Sequence, residues 1–150
     1  MSLTRYISNE KQNEVIQLLL LQHDEYRAQN GLQPLILDVD LCIAAQWMAE
    51  DMADKGYMSH TDSIYRNPVT RVRQLTNFGS RYIGENVGVG YTPDNITNGW
   101  MQSPGHRANI LHGDYNRIGI GYYFKPFAIE KADADTFDYM DYFVTVFGKL

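Results

Sequence analysis

Two stretches near the C-terminus decide the fold: RIGIGYYF at Arg117–Phe124 and YMDYFVTVF at Tyr139–Phe147. Both are rich in aromatic and β-branched residues, the composition of strands. The chain upstream has a different period. From about Glu10 to Asn30, residues Val15, Ile16, Leu19, Leu20, His23 and Tyr26 recur at three- and four-residue steps, which sets them on one helical face. Gly31 stops that helix and Pro34 confirms the break. A second helix is expected to begin at Asp38 or Asp40, either of which can cap it, and to end at Gly56. Its stripe of Leu41, Ala44, Ala45, Met48, Ala49 and Met52 is rich in alanine, so another element can approach closely. Cys42 beside the stripe reads as a packing residue. Pro68 suits the first turn of a third helix reaching about Leu75. Asn77-Phe78-Gly79-Ser80 is turn chemistry, Tyr82–Tyr91 is glycine-rich and β-like, and Pro93 opens a fourth helix that carries Trp100 and ends before Pro104. Lys125 to Asp138 reads as a long hairpin connection. Helices first and strands later predict an α+β fold with an antiparallel sheet, not a doubly wound parallel one.

Composition narrows the function. The chain has 150 residues, enough for one domain with one sizeable core. Residues 10–150 read as that domain, and residues 1–9 as an expression remnant (Met1-Ser2-Leu3) and an N-terminal arm, with a leader expected to have been removed. Hydrophobic residues make up 44% and charged residues 21%, as in ordinary globular chains. The net charge is −5, which argues against a nucleic-acid partner. The uninterrupted apolar runs, such as Leu18–Leu21 and Leu41–Ala45, are too short to span a bilayer as a helix. Cys42 is the single cysteine, so an intramolecular disulfide and a zinc site built on several thiolates are both excluded. Eleven tyrosines suit a surface where one end of the ring is apolar and the other wet.

Three stretches combine catalytic residue types with loop-forming ones: Ser59-His60-Thr61, Gly84-Glu85-Asn86 and Ser103–Ile110, SPGHRANI. Two imidazoles and a carboxylate are a starting set for a divalent metal or for acid–base chemistry. Spacing alone leaves open whether they share one site. His60 can equally cap a loop, Glu85 can bond a turn, and Asn86 and Asn109 can be turn residues. There is no HExxH motif, and no G-x-S-x-G elbow supports Ser59 or Ser103 as a nucleophile. His23 reads as a core histidine and His112 as a loop residue. Asp133, Asp135, Asp138 and Asp141 lack the mid-loop glycine and twelfth-position acid of a calcium loop.

Taken in order, these motifs resemble the CAP superfamily of cysteine-rich secretory, antigen 5 and pathogenesis-related proteins. The resemblance rests on SPGHRANIL at Ser103–Leu111, between Trp100 and IGIGYYF at Ile118–Phe124, on GEN at Gly84–Asn86, on SH at Ser59–His60, and on YRAQNGLQPL at Tyr26–Leu35. The single cysteine resembles the cysteine-poor bacterial branch. The resemblance implies an α-β-α sandwich around a three-stranded antiparallel sheet. It also implies an open cleft lined by two histidines, here His60 and His106, and usually two acids, of which Glu85 is one. The second acid is expected in the helix after His60, yet Pro68-Val69-Thr70-Arg71 holds none, and Asp62 is the nearest substitute.

Two neutral imidazoles can hold Zn²⁺ or a similar divalent cation weakly, with Glu85 orienting one of them. Gly84 and Gly105 are expected to let backbone approach the cleft, with Ser59, Asn86, Ser103, Arg107 and Asn109 in support. No organic cofactor is implied. Three readings follow. The first is a secreted or cell-surface binding module for a peptide, lipid, envelope glycan or other small molecule. The second is a metal-assisted hydrolase with His60 and His106 as ligands and Glu85 as general base. The third is a structural network in which Glu85 bridges the histidines.

Overall fold

A computed structural model describes residues 10–125 and 140–150. The N-terminal arm, nearly all of the Lys125–Asp138 connection and three of the four aspartates considered for calcium lie outside the described residues. Helix α1 spans Glu10–Gln29, strand β1 Ile36–Leu37, α2 Val39–Lys55, α3 Pro68–Leu75 and β2 Ile83–Val89. Then follow α4 at Ile96–Met101, α5 at Pro104–Ile110, β3 at Arg117–Lys125 and β4 at Met140–Gly148.

Local chemistry fixes most boundaries. Asp38 caps α2 by accepting from the Leu41 N–H at 3.0 Å, and Gly56 closes it in the left-handed region at φ 69°. Asn67 caps α3 through the Thr70 N–H at 2.9 Å, with Pro68 in the first turn. Pro93 does not open α4 directly. A turn comes first, and the Ile96 N–H donates to Thr92 O at 3.0 Å. The SPGHRANI stretch, read as loop-forming, contains helix α5. Serine and proline open helices as readily as they make turns, so the local signal was ambiguous.

The sheet has the order β1-β3-β4-β2. Strands β2, β4 and β3 are antiparallel neighbours, with Glu85 opposite Val146 and Ile120 opposite Thr145. The expected three-stranded antiparallel sheet is therefore corrected by one strand: β1 pairs with β3 in parallel. Two residues between Pro34 and a helix cap carry no period to read. The pairing rests on the Ile36 N–H bonding Asn116 O at 3.0 Å and the Asp38 N–H bonding Ile118 O at 2.9 Å.

Side chains alternate across the sheet. Ile118, Ile120, Phe143 and Phe147 face one layer with Val15, Ile16, Leu19, Trp100 and Ile110 from α1, α4 and α5. Val87, Val144 and Val146 face Leu41, Ala45, Met48, Met52 and Val72 from α2 and α3. Gly119 and Gly121 belong to the second face. A Cβ built on Gly119 lies 2.0 Å from the Leu41 carbonyl carbon, and one on Gly121 lies 2.4 Å from that of Ala45. The α2 backbone thus rests directly on β3, as its alanine stripe allows.

Side chains complete β3 beyond its short pairing with β1, and the free edge of β2. Cys42 Sγ accepts from the Ile120 N–H at 3.4 Å, and Gln46 Oε1 from the Tyr122 N–H at 2.8 Å. One helical turn of α2 thereby takes the place of a strand along β3. On the far edge, Asn109 Nδ2 donates to Glu85 O at 3.2 Å and Trp100 Nε1 to Val87 O at 2.9 Å. Trp100 is a core residue, and Cys42 is buried in a packing role.

Buried cations were not legible as such, whereas His23 is the core histidine its helical face implied. Arg27 is buried and spends its guanidinium on four carbonyls: Gln33 at 2.8 Å, Ile110 at 2.8 Å, His112 at 3.0 Å and Tyr115 at 3.2 Å. It ties the end of α1 to the C-terminus of α5, where a cation is favoured. Arg71, equally buried, belongs to the site below. His23 is fully buried and donates through Nδ1 to Leu19 O at 2.7 Å, while its Nε2 has no partner. Burial pulls its pKa down to about 4, with the Arg27 charge adding to the effect.

The folded state therefore binds fewer protons than the unfolded one between about pH 6.5 and 4, and stability must fall as pH drops through that window. The shift corresponds to about 3 kcal/mol. We expect acid to lower the melting temperature steeply there, and His23→Leu to flatten that slope. A slope unchanged in the variant would assign the sensitivity elsewhere.

Candidate functional site

The site forms where the outer edge of β2 meets both helical layers. Glu85 sits on the α2–α3 face of β2, and Asn86 on the opposite face. The loop between α2 and α3 brings His60 to Glu85, and α5 brings His106 beside Asn86.

The His60 loop is ordered by two buried carboxylates. Asp51 on α2 accepts from the Tyr57 hydroxyl, from the Ser63 N–H at 3.0 Å and from the Ser63 hydroxyl at 2.7 Å. Asp62 accepts from the Ile64 N–H at 3.1 Å, the Arg66 N–H at 2.9 Å and Arg66 Nε at 2.9 Å. The Arg66 guanidinium lies 4.5 Å over the Trp47 ring, a cation–π contact. Tyr65, 90% exposed, takes a left-handed φ of 67° in this turn.

Arg71 occupies the helix where the family resemblance implied an acid. Its Nη2 donates to Glu85 Oε2 at 2.7 Å and its Nη1 to Asp62 Oδ2 at 3.3 Å. Both nitrogens also reach His60 O at 3.3 Å. Asp62 is therefore no second cleft acid. It is buried as a counter-ion to Arg66 and Arg71. The carboxylates of Asp62 and Glu85 are thus matched by the guanidinium groups of Arg66 and Arg71.

Glu85 is spent in this network. Its second oxygen, Oε1, accepts from His60 Nδ1 at 2.9 Å, and its side chain is 1% exposed. With Nδ1 held by the carboxylate, His60 directs Nε2 as its remaining nitrogen, on a ring that is 54% exposed. That hydrogen bond raises the His60 pKa against an opposing effect of burial. His106 moves the other way: burial lowers its pKa, and the His60 charge lowers it further. Both effects favour the neutral, lone-pair form of His106. Glu85 does not bridge the histidines. It joins His60 to Arg71, while His106 is positioned through its carbonyl, which accepts from Asn86 Nδ2 at 3.1 Å. Asn109 Nδ2 completes the link by donating to Asn86 Oδ1 at 2.9 Å.

The remaining expected site residues have local roles. Ser59 Oγ accepts from the Thr61 N–H at 3.0 Å, and Ser103 stands at the start of α5 without a capping bond. Among the described residues no hydrogen bond joins either serine to an imidazole. Arg107 is exposed and reaches Met101 O at 3.5 Å. Gly84 does serve a close approach, since a Cβ there would lie 2.4 Å from the Tyr115 hydroxyl and 2.9 Å from Asn109 Oδ1. Gly105 does not, because nothing lies within 4 Å of its Cβ position. Arg71 and Asp51 were missed because a charged residue in a helix reads as solvated. The one available signal was a base where an acid was expected.

A divalent ion can be tested against this donor set. His60 presents Nε2 with Nδ1 fixed by a carboxylate, the arrangement that orients a metal-binding imidazole, and the lowered pKa of His106 favours its lone-pair form. Among the described residues no group of three His, Cys, Asp or Glu side chains could hold a metal ion. Two imidazoles are the donors that remain, fewer protein ligands than a firmly held zinc ion usually takes.

The sequence profile of the cysteine-rich secretory protein family, CAP, matches residues 20–144. The chain belongs to the CAP family. It is 38% identical over 99 residues to the uncharacterized Bacillus subtilis protein YkwD, a match that covers 64% of this chain and 37% of that protein. It is 30% identical over 96 residues to the uncharacterized B. subtilis membrane protein YlbC, covering 63% of this chain and 28% of that one. The chain thus spans about a third of the curated CAP relatives it matches. Among solved structures, an outer surface protein from Borrelia burgdorferi superposes with a TM-score of 0.76 at 24% identity, over 91% of this chain and 92% of that one. An extracellular SCP-domain protein from Bacillus anthracis gives 0.75 at 23% identity, over 93% and 41%. These structures share the helix–sheet–helix architecture described above.

Proposed function

We propose that this CAP domain is an extracellular binding module, not a hydrolase. The observation that carries the reading is the burial of Glu85 between Arg71 and His60. A general base must reach the water it deprotonates. The Glu85 carboxylate has both oxygens engaged and almost no exposed surface. What faces solvent is the imidazole pair, flanked in the His60 loop by Met58, Ile64 and Tyr65, all exposed. Exposed apolar side chains in the loop that carries an exposed imidazole favour a ligand with both characters, such as a lipid headgroup region or a peptide. A glycan is the more polar alternative. Zn²⁺ or another divalent cation, held weakly by His60 and His106, would offer its open positions to ligand oxygens. The extracellular setting follows the outer-surface and extracellular relatives of the same fold.

The test is retention of envelope lipids, glycans and peptides on immobilised protein, with and without zinc. At least one class should be retained, and His60→Ala and His106→Ala should each reduce retention while the protein stays folded. Zinc titration should give one weak site that is lost in His106→Ala. Equal, negligible retention in both metal states would remove the reading. So would peptide turnover abolished by Glu85→Gln in a folded variant.

A further inference from the structure

Across the first helical layer from the His60 cluster, the groove between α1 and the start of α4 holds a polar pocket. One wall is a single face of α1, with Gln22, Glu25, Tyr26 and Gln29 at three- and four-residue steps. Asp94, Thr97 and Asn98 form the other wall. The walls are braced before any ligand arrives. The buried Thr97 hydroxyl donates to Gln22 Oε1 at 2.6 Å, Gln22 Nε2 donates to Pro93 O at 3.3 Å, and Asn98 Nδ2 donates to the Tyr26 oxygen at 3.1 Å.

These bonds use Gln22 at both ends. Among the described residues they leave the Tyr26 hydroxyl proton, the Asn98 amide oxygen, the Gln29 amide and the carboxylates of Glu25 and Asp94 for a guest. The pocket is thus rich in acceptors, carries two negative charges and has no lysine or arginine in its lining.

We propose that this pocket binds an amino sugar. Its ammonium would lie between Glu25 and Asp94, and its hydroxyls would pair with Tyr26, Gln29 and Asn98. Charged pairing selects the amine, and paired donors and acceptors select a polyhydroxylated ring. Two carboxylates are too few to enclose a bare cation, which takes six or more oxygen ligands when it is calcium. A lysine side chain fits less well, because Tyr26 alone in the lining offers an apolar surface to its stem. The site shares no residue with the His60–Glu85–Arg71 cluster, so it stands or falls independently of the function proposed for that cluster.

The experiment is an amide-resolved NMR titration with D-glucosamine, N-acetylglucosamine and glucose at mildly acidic pH, where the amine is charged. Glucosamine should shift the Gln22, Asp94 and Asn98 signals saturably, and the two uncharged sugars should bind about tenfold more weakly or worse. Glu25→Gln and Asp94→Asn, both surface changes, should each weaken glucosamine about tenfold, and His60→Ala should leave it unchanged. The proposal is overturned if glucosamine moves no pocket signal, if glucose binds equally well, or if ethylamine binds as tightly as glucosamine.

Discussion

Arg71→Leu is expected to cost about 3–5 kcal/mol, the loss typical of a buried ion pair stripped of one partner. The variant leaves Glu85 Oε2 without a donor, takes one of the guanidinium groups from Asp62, and releases the His60 carbonyl. For a chain of this size, that is a fall of roughly 10 °C in melting temperature. The damage should concentrate in the segment from Tyr57 to Arg66, so limited proteolysis there should accelerate before the sheet unfolds. Arg71→Leu combined with Glu85→Leu should recover part of the loss, since an apolar pair costs less than a lone buried charge. A single variant that melts like the parent would show that the network is solvated and would reopen Glu85 as a base.

Gly121→Val should be at least as damaging, by a different route. Its Cβ would fall 2.4 Å from the backbone of Ala45, and backbone cannot rotate aside as a side chain can. Gly119→Ala meets the Leu41 carbonyl carbon at 2.0 Å. In either case α2 must lift from β3, breaking the Cys42 and Gln46 bonds and opening the second core. We expect losses above about 3 kcal/mol, the upper end of overpacking penalties, with little folded protein recovered from Gly121→Val. Gly105→Ala is the control. Its Cβ position is empty, so its melting temperature should stay near that of the parent. Equal tolerance at positions 105, 119 and 121 would contradict the close seating of α2.

These two cases mark what the sequence could and could not disclose. The seating of α2 was half legible, because alanines at helical spacing announce a close neighbour and the alternation of Gly119 and Gly121 with Ile118 and Ile120 supplies one. The caps Asp38 and Gly56, the start at Pro68 and the long strands all follow local rules. Strand β1 has no local rule, being two residues recruited by β3. Arg71 and Arg27 look like ordinary surface cations in their helices. Their partners lie 14 residues away for Glu85 and 83 for Ile110, and only the closed fold brings them together. The three motifs carrying His60, Glu85 and His106 were visible, but the division of labour among them was not. Nothing local says that Glu85 answers to Arg71 while His106 answers to Asn86.

The treatment of the β2 and β3 edges bears on how the protein behaves at high concentration. Sheets with unsatisfied margins recruit extended chains and grow into fibrils. Here an incoming chain would first have to evict Trp100 and Asn109 from β2, or Cys42 and Gln46 from β3. Clipping or melting the short α4–α5 segment would uncover the β2 margin, making that segment the safeguard against polymerisation.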